Sequence, residues 1–296
     1  MTPPPELSVV VASVNGFPYL GECLESLERH CPDAEVIVAD WTDEDTRRKV
    51  ADRWPKVQLL SFDEPMAVPE LRAAGVFAST APFVALIEDH CVVKEGWAER
   101  LVDAHRRGYP VAGGPVENVV TGRVRDWAAF FCEYSAFMAP LPAGETEDLP
   151  GMNVSYDRRA LAAIDDLLHE GRWESWLHGR LRGLGFRFWS DPDAAIEHAK
   201  DFDFGEFLSQ RYHYSRSYAG MRNPDLGPKR VLYVLGSPLI LPLVSWRTAR
   251  NVLKRRRRRE ELVAATPLIL LYTAVWSVGE AIGYAFGGGR SLLRVR

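Results

Sequence analysis

The feature that most constrains the fold is an alternation of short apolar runs with amphipathic helical patterns along the first third of the chain. The apolar runs are rich in β-branched residues, which is typical of strands buried on both faces. These runs are LSVVVASV (7–14), EVIVAD (35–40), VQLLSF (57–62) and FVALIEDH (83–90). Strands that alternate with helices in this way predict a mostly parallel α/β sheet with helices on both of its faces.

Polar side chains follow three of these predicted strands. Ligands of parallel α/β sheets bind at the carboxyl ends of the strands, so these side chains are candidates for a binding site. They are Ser13 and Asn15 after the first strand, Asp40 after the second, and Glu88, Asp89 and His90 after the fourth. Each has a structural alternative when taken alone. Asp40 can cap a helix, Asn15 can form a turn, and the triplet 88–90 can be a solvated loop.

Two common phosphate-binding motifs are missing from the sequence. No GxGxxG follows the first strand, and no GxxxxGK[ST] occurs in the chain. These absences argue against a dinucleotide-binding or P-loop site. A phosphate bound without a glycine-rich loop usually needs a metal ion, and carboxylate oxygens together with an imidazole can bind Mg²⁺ or Mn²⁺. The sequence therefore predicts a metal-assisted phosphate site at the edge of the sheet.

A resemblance to a known family is carried by LSVVVASVNGFPYLGECLESL, VIVADWTDEDT and LRAAGVFASTAPFVALIEDHCVVKEGW. In order and spacing these stretches resemble the family 2 glycosyltransferases, and the resemblance runs over residues 7–200. It implies a GT-A fold and an inverting, metal-dependent transfer of a hexose from a nucleotide diphosphate such as UDP, with Mg²⁺ or Mn²⁺ as cofactor. The residues that it implies for binding the donor are Ser13, Asn15, Asp40, Arg72, Glu88 and Asp89.

The chain departs from the family at the metal-binding motif. The family usually has Asp-x-Asp where this chain has Glu88-Asp89-His90. Glu88 and His90 can both still ligate a divalent metal, so the resemblance implies that they do. The stretch AAIEHAK is similar to a family strand that ends on a His near the metal, which adds His198 as a third ligand. The alternative for His198 is an ordinary core or surface histidine.

A second local resemblance implies the catalytic base. An inverting transfer needs a group that removes a proton from the acceptor hydroxyl, and a carboxylate is sufficient. The segment RWESWLHGRLRGLG is similar to a family segment with a Glu-Asp pair at the start of a helix, with Ser175 in the place of the Asp. The role therefore falls to Glu174, with Glu170 and Asp166 as fallback bases. The alternative for Glu174 is an exposed acid in a surface ion pair.

Three further residues are predicted contacts of the substrates. Glu117 in GPVEN and Asn153 in LPGMNVSY lie in predicted turns that would line the sugar and acceptor cleft, and ordinary turn chemistry is their alternative. Arg211 lies in FLSQRYHYSRSY, a predicted amphipathic helix with a loose similarity to the Gln-x-x-Arg-Trp segment of processive relatives. The resemblance implies that Arg211 meets the donor diphosphate, and lipid headgroups are the alternative partner.

Residues 205–296 differ from the rest of the chain in charge. They hold 16 Lys and Arg against 5 Asp and Glu, although the whole chain carries a net charge of −4. Two uncharged runs, 231–246 and 262–279, flank the basic run KRRRRR at 254–259. The flanks are lipid-like and lack base-stacking character, so a membrane surface is the expected partner and nucleic acid is not.

The two uncharged runs are short for membrane-spanning helices. A spanning helix needs about 20 apolar residues, and two crossings would place the arginines on the side that the positive-inside rule disfavours. We expect helices that lie in or dip into the cytoplasmic leaflet, with the arginines on anionic headgroups. A single crossing by 262–279 is one alternative. The other is a soluble helical hairpin that packs on the body or on a partner subunit.

These patterns predict a catalytic domain in 1–204, with a donor half (1–113) and an acceptor half (114–204), and a membrane-associating region in 205–296. The predicted function is inverting transfer of a sugar to an acceptor that is lipid-linked or otherwise at the membrane. The alternatives are a sugar nucleotidyltransferase and a membrane-bound, non-catalytic sugar-binding or scaffold protein. No secretory signal is recognised and the cysteines lack metal-binding spacing, so we expect the cytoplasmic face of the cell membrane.

Overall fold

The computed structural model describes residues 4–295. Its strands are β1 (Leu7–Ser13), β2 (Glu35–Asp40), β3 (Gln58–Ser61), β4 (Phe83–Glu88), β5 (Cys91–Val93), β6 (Val111–Gly113), β7 (Val116–Asn118), β8 (Gly144–Thr146), β9 (Val154–Asp157), β10 (Phe188–Ser190) and β11 (Ile196–His198). Its α-helices are α1 (Tyr19–His30), α2 (Glu44–Arg53), α3 (Val68–Ala78), α4 (Trp97–Arg106), α5 (Val124–Tyr134), α6 (Arg158–Ala163), α7 (Asp165–His169), α8 (Glu174–Gly183), α9 (Phe204–Leu226), α10 (Arg230–Gly236), α11 (Ile240–Lys254) and α12 (Arg259–Phe286).

The chain divides into two compact units. The first unit comprises Met1–Val119 and Phe137–Lys200, and the second comprises Val120–Ala136 and Asp201–Arg296. The predicted domain boundary after residue 204 stays a prediction. All of the strands belong to the first unit, whereas the second unit is built from α5 and α9–α12.

An eight-stranded sheet forms the centre of the first unit, in the order β3-β2-β1-β4-β9-β6-β10-β8. The pairs β1–β2, β1–β4, β2–β3 and β6–β10 are parallel, whereas β9 runs antiparallel to β4 and β6, and β8 runs antiparallel to β10. A separate three-stranded sheet has the order β5-β11-β7. The predicted mostly parallel α/β sheet is therefore confirmed.

The register of the central strands brings their carboxyl ends to one edge. Ser13 at the end of β1 lies opposite Asp40 at the end of β2, and Ala12 lies opposite Glu88 at the end of β4. Every residue of β1 is buried, as expected for the middle strand of a parallel sheet that is covered on both faces. The polar groups predicted at three strand ends therefore share this edge.

Helix α3 approaches β1 closely at a glycine. A Cβ atom on Gly75 would collide with the side chain of Val10 in the middle of β1. Without that side chain the helix packs directly on the strand, which is a common use of glycine in a helix interior. Arg72 lies one turn before Gly75 on the same helix and is also buried. The close packing thus holds a cationic side chain inside the first unit.

Small residues also mediate the helix packing in the second unit. A Cβ atom on Gly279 of α12 would collide with Ser215 of α9, and one on Gly283 would lie 2.5 Å from the backbone oxygen of Arg216. Such close backbone approach is typical of helices that pack through glycine. Helices α9 and α12 therefore form a tight pair.

Two segments of the second unit are long and apolar enough to cross a membrane, judged by length and composition. They are Phe204–Lys254 and Arg259–Phe286, and only 11% and 33% of their most apolar windows are buried. The first segment is interrupted by a 3₁₀ turn (Ser237–Leu239) at Pro238, whereas Pro242 lies in the first turn of α11, where proline is tolerated. Both segments exceed the runs that the sequence indicated, and the predicted in-plane arrangement stays a prediction.

Candidate active site

Asp89 is completely buried beneath the loop that follows β1. Its carboxylate accepts hydrogen bonds from the backbone N–H groups of Val14 (2.9 Å), Asn15 (2.6 Å) and Gly16 (3.1 Å), and from the side-chain amide of Asn15 (2.7 Å). Burial alone would raise the pKa of Asp89, but hydrogen bonds from His90 and Asn15 hold this pKa below its usual value. The structure therefore uses the carboxylate to join the end of β4 to the β1–α1 loop.

Asp40 has a similar environment at the end of β2. Its carboxylate accepts hydrogen bonds from the hydroxyls of Ser13 (2.7 Å) and Thr42 (2.7 Å), and from the backbone N–H of Thr42 (3.2 Å). The Arg47 guanidinium lies 3.5 Å away. Ser13 and Asp40, both predicted to bind the donor, are thus bonded to each other. No sequence pattern indicates the roles of Thr42 and Arg47, since both look like ordinary residues of a helix start.

Arg72 joins two acids that the sequence placed in different halves of the predicted catalytic domain. Its guanidinium donates one hydrogen bond to Glu88 and another to Glu174, at 3.2 Å from the Glu174 Oε2 atom. The Arg72 side chain is 7% exposed, compared with 14% for Glu88 and 24% for Glu174. The predicted donor-site acid and the predicted base therefore lie on either side of one buried cation, and both remain partly accessible.

The three predicted metal ligands are neighbours, although Arg72 now contacts one of them. The His90 Nε2 atom lies 3.5 Å from Glu88 Oε2, and the His90 and His198 rings meet edge to face with centroids 4.8 Å apart. Burial lowers the pKa of His198 well below its usual range, and His90 and Lys200 act in the same direction. Within residues 4–295, no group of three or more His, Cys, Asp or Glu side chains has a metal-binding arrangement.

One buried atom at this edge fits a metal ligand. Nε2 of His90 is buried and has no hydrogen-bond partner among the described residues, and it faces the Glu88 carboxylate. An imidazole nitrogen and a carboxylate oxygen are both suitable ligands for a divalent cation. Glu88 and His90 thus fit a metal better than the complete predicted set does.

Lys200 is a buried cation that the sequence analysis missed. Its ammonium group donates a hydrogen bond to the side-chain oxygen of Asn15 at 2.8 Å, while the amide nitrogen of Asn15 binds Asp89. A single lysine after a short strand is usually a surface residue, so the sequence offered no signal for its burial. It adds positive charge to an edge where a phosphate is predicted to bind.

The base predicted at Glu174 lies at the start of α8, against the backbone of Gly151. A Cβ atom on Gly151 would lie 2.6 Å from the Glu174 carboxyl carbon, so a larger residue at 151 would displace this carboxylate. Ser175, in the place of the family's Asp, is exposed. The fallback bases are exposed partners of arginines: Glu170 contacts Arg172 (2.8 Å) and Asp166 contacts Arg180 (3.2 Å).

A hydrogen-bond chain centred on the buried His178 lies one helical turn after Glu174. His178 contacts the Tyr156 hydroxyl through Nε2 (2.7 Å) and the Asp148 carboxylate through Nδ1 (2.6 Å). Burial and the nearby charge of Glu174 raise the pKa of Tyr156, which keeps this phenol protonated. These hydrogen bonds connect β9, α8 and the loop before Gly151. They therefore hold in place both α8, which carries Glu174, and the loop that packs against it.

Glu117 and Asn153 already have partners inside the first unit. Lys94 pairs with Glu117 at 2.8 Å and with Glu197 at 3.0 Å. Asn153 is buried, and its amide donates to the backbone oxygens of Pro115 (3.1 Å) and Ala194 (2.8 Å). Its predicted place in the acceptor cleft stays a prediction, and the structure shows it as a brace between loops.

Arg211 belongs to α9 in the second unit. Its guanidinium is buried, lies over the ring of Trp276 at 4.0 Å and is 4.0 Å from the Glu133 carboxylate. These contacts explain how a charged side chain is held among apolar helices. Its predicted contact with the donor diphosphate stays a prediction.

Three solved structures share the fold of this chain at low sequence identity. The mannosyltransferase PcManGT from Pyrobaculum calidifontis, in complex with GDP-Man and Mn²⁺, has a TM-score of 0.55 and 14% identity, with 96% of this chain and 88% of that chain covered. Residues 1–349 of S. aureus TarS have a TM-score of 0.52 and 15% identity, with 95% of this chain and 92% of that chain covered.

The third structure is GalNAc-T7 with UDP, GalNAc and Mn²⁺, which gives a TM-score of 0.53 and 13% identity. The match covers 67% of this chain but only 44% of GalNAc-T7, so the chain corresponds to less than half of that protein's length. These similarities confirm the predicted GT-A fold.

A search of curated proteins finds no match for this chain. The sequence profile described as "Glycosyl transferase family 2" matches residues 8–164, which is more than half of the chain. The match includes β1, β2, β4 and the strand-end groups described above, and it agrees with the fold. The chain therefore belongs to glycosyl transferase family 2.

Proposed function

We propose that this glycosyltransferase inverts the anomeric centre as it moves a sugar from a nucleotide diphosphate to an acceptor hydroxyl. The observation that carries the proposal is the Arg72 bridge between Glu88 and Glu174. Glu88, predicted to bind the donor, and Glu174, the predicted base, both contact Arg72 there, and both side chains are partly exposed. Two structural neighbours were solved with UDP or GDP-Man, which supports a nucleotide diphosphate as the donor fragment.

Glu174 is the proton acceptor in this reaction. As the acceptor oxygen forms its bond to the anomeric carbon, the hydroxyl proton moves to the Glu174 carboxylate. The bond between that carbon and the phosphate oxygen breaks, and its electron pair leaves with the nucleoside diphosphate. Attack on the face opposite the leaving group inverts the anomeric configuration. Arg72 and Gly151 hold the carboxylate in position for this step.

Glu88 and His90 would hold a divalent cation, because the free Nε2 of His90 faces the Glu88 carboxylate. When bound there, Mg²⁺ or Mn²⁺ would neutralise negative charge on the diphosphate. Both nucleotide-bound neighbours contain Mn²⁺, which supports this choice. His198 packs on His90, and Lys200 contributes further positive charge near Asn15.

We infer that the acceptor is lipid-linked or otherwise located at the cytoplasmic face of a membrane. The second unit exposes large apolar side chains such as Leu235 (72%) and Val263 (75%). The basic run 254–259 joins its two apolar segments. Apolar burial and attraction to anionic headgroups together support a membrane-bound position.

Calorimetric titration of the full chain with UDP and GDP, with and without Mn²⁺, tests the donor site. We expect one of them to bind, more tightly with the metal, and a matching nucleotide sugar to be hydrolysed slowly. Failure of both nucleotides to bind under either condition would rule out the proposal. Pyrophosphate release from a nucleoside triphosphate and a sugar phosphate would indicate a nucleotidyltransferase. Binding with no hydrolysis or transfer to any acceptor would indicate a scaffold protein.

Vesicle sedimentation tests the membrane location. Each Lys or Arg at an anionic surface contributes about 1 kcal/mol of attraction, which salt screens. Replacing Arg255–Arg259 with Gln should weaken binding to vesicles that contain phosphatidylglycerol, whereas deleting 231–296 should abolish it. A truncated protein that glycosylates membrane extracts as well as the full chain would show that the region serves assembly and not acceptor access.

A further inference from the structure

The second unit contains a cavity of about 370 Å³ that has no part in the transferase site described above. Helices α9, α10, α11 and α12 contribute to its walls. The lining residues that matter here are Arg222, Leu232, Tyr233, Ile240, Glu280 and Tyr284. Its size falls within the range of small-molecule sites, which is about 300–1,000 Å³.

The cationic wall of the cavity is the guanidinium of Arg222. It lies over the rings of Tyr233 (5.0 Å), Tyr284 (5.9 Å) and Tyr218 (6.0 Å) and donates a hydrogen bond from Nη1 to the Tyr284 hydroxyl at 2.9 Å. No other hydrogen bond from this guanidinium, and no carboxylate within 4.0 Å of it, occurs in the described part of the chain. Because a guanidinium has five N–H donors, Arg222 can still bind an anion.

The anionic wall is the carboxylate of Glu280, which also lines the cavity. Its Oε1 atom accepts a hydrogen bond from the indole N–H of Trp276 at 2.6 Å. The Tyr284 hydroxyl accepts a hydrogen bond from Arg222 and also contacts the Glu280 carboxylate, so it links the two charges, which form no ion pair of their own in the described structure. Opposite charges that are linked only through a neutral hydroxyl can each bind a further partner, which favours a ligand that carries both charges.

The helix that contributes Leu232 to the cavity exposes large apolar side chains. Leu232 lines the cavity yet is 68% exposed, and Leu235 on α10 and Leu239 in the following 3₁₀ turn are 72% and 61% exposed. A water-soluble zwitterion would leave these leucines in water. A ligand with hydrocarbon chains would cover them, at a gain of about 25 cal/mol per Å² of apolar surface removed from water.

We propose that this cavity binds the headgroup of a zwitterionic phospholipid that carries a primary ammonium group. The phosphate contacts the remaining donors of Arg222, the ammonium contacts Glu280, and the acyl chains lie along Leu232 and Leu235. An anionic headgroup without the ammonium would place its charge near Glu280 with no compensation. A quaternary ammonium has no N–H to donate to the carboxylate, so it is the weaker ligand. The site goes beyond the proposed transfer reaction and does not depend on it.

Native mass spectrometry of the full chain tests the proposal. The protein is released from micelles that contain equal amounts of phosphatidylethanolamine, phosphatidylglycerol and phosphatidylcholine. We expect one retained molecule of phosphatidylethanolamine, held at least about tenfold more than either competitor, as expected when one charge-assisted contact distinguishes the ligands. Equal retention of the three lipids, or preference for phosphatidylglycerol, would overturn the proposal.

Two single substitutions and a matched control complete the test. Arg222→Gln should reduce retention of phosphatidylethanolamine about tenfold, and Glu280→Gln should remove its advantage over phosphatidylglycerol. Arg250→Gln is the control, because Arg250 is exposed on α11 and contacts only the ring of Trp246 at 5.4 Å within the described residues. Full retention by Glu280→Gln would overturn the headgroup assignment even if Arg222→Gln fails to fold. Nucleotide binding by the same variants reports separately on the transferase site.

Discussion

The carboxylates at the edge of the first unit fall into two groups with opposite environments. Asp40 and Asp89 are fully buried, and their hydrogen bonds to Ser13, Thr42 and Val14 tie strand ends and loops together. Glu88 and Glu174 are partly exposed and share a single buried cation, Arg72. All four are acids near the ends of strands or the start of a helix, yet of the four only Glu88 and Glu174 keep exposed side-chain surface.

This difference separates acids that build the site from acids that can act in it. A buried carboxylate with several backbone N–H partners is held in one position, and breaking these hydrogen bonds has a large cost in free energy. A partly exposed carboxylate can exchange a guanidinium for a metal ion or a proton. We therefore expect substitutions of the first pair to affect stability and substitutions of the second pair to affect turnover.

The largest effect is expected from Glu174→Gln. Loss of the general base should lower turnover by about 10²–10⁴-fold while donor affinity stays unchanged. Steady-state kinetics with the matching nucleotide sugar, together with calorimetric donor binding, would measure both quantities. Glu170→Gln is the control, because Glu170 is an exposed partner of Arg172. A large loss in the control and none in Glu174→Gln would transfer the role of base to Glu170.

The sequence predicted the placement of these acids but not the distinction between them. Continuous apolar runs mark the buried parallel strands, and the polar residues that follow them mark the carboxyl ends. Because these ends share one edge of the sheet, the sequence predicts that Asp40, Glu88 and Asp89 lie there. Whether a carboxylate is bound by backbone N–H groups depends on loops that return from elsewhere in the chain. The contact of Asp89 with Val14 joins residues 75 positions apart, and no local pattern encodes it.

The second largest effect is expected from Asp89→Asn, and it concerns stability. The substitution keeps the shape of the side chain but removes the charge that accepts three backbone hydrogen bonds, at a cost of about 3 kcal/mol. Urea unfolding would measure the loss. Asp157→Asn is the control, because Asp157 caps α6 through one backbone N–H (2.7 Å) and Asn caps helices about equally well. Equal losses in the two variants would contradict a special role for Asp89.

Arg72→Lys is expected to have a smaller effect on catalysis. A lysine keeps the charge but cannot donate in a fixed fork to two carboxylates, so either Glu88 or Glu174 loses its partner. Turnover should fall about tenfold, which corresponds to one charge-assisted hydrogen bond. Arg47→Lys, beside Asp40, should change turnover little because Ser13 and Thr42 still hold that carboxylate. A larger loss of turnover in Arg47→Lys than in Arg72→Lys would show that the buried acids Asp40 and Asp89, and not Glu88 and Glu174, limit turnover.

The second unit shows another limit of prediction from sequence. Its charge and hydropathy indicate a membrane surface, but its two uncharged runs are short for membrane-spanning helices. The structure accommodates Pro242 in the first turn of α11 and continues α12 through Pro267 for 28 residues. The cavity beside Arg222 could also not be predicted from the sequence, because its walls come from residues up to 62 positions apart in the chain. Packing between distant helices decides such features, and a single sequence does not specify it.

Buried histidines are expected to determine part of the pH dependence of stability in the first unit, and their effect must be separated from that of Asp89. Burial lowers the pKa of His105 to about 4, from an ordinary value of about 6.5. The unfolded chain therefore binds more protons between these values, and stability falls as the pH drops from about 6.5 to 4. Burial also lowers the pKa of His198, so His198 should add to this loss, and the variant that combines His105→Gln with His198→Gln should remove it. Hydrogen exchange of the β1 and β4 amides at several pH values would measure it.

Asp89 should act in a lower window. Because its folded pKa is held below the unfolded value of about 3.9, its contribution is complete above about pH 4 and is lost as the pH falls through the folded value. In the background that carries both His105→Gln and His198→Gln, the stability of β1 and β4 should stay level down to about pH 4 and then fall, with a slope of at most one proton from this group. Adding Asp89→Asn to that background should lower the plateau and flatten the fall, because Asn cannot be protonated in this range. An unchanged fall in the triple variant would show that another carboxylate, and not Asp89, couples the acid stability of this edge to protonation.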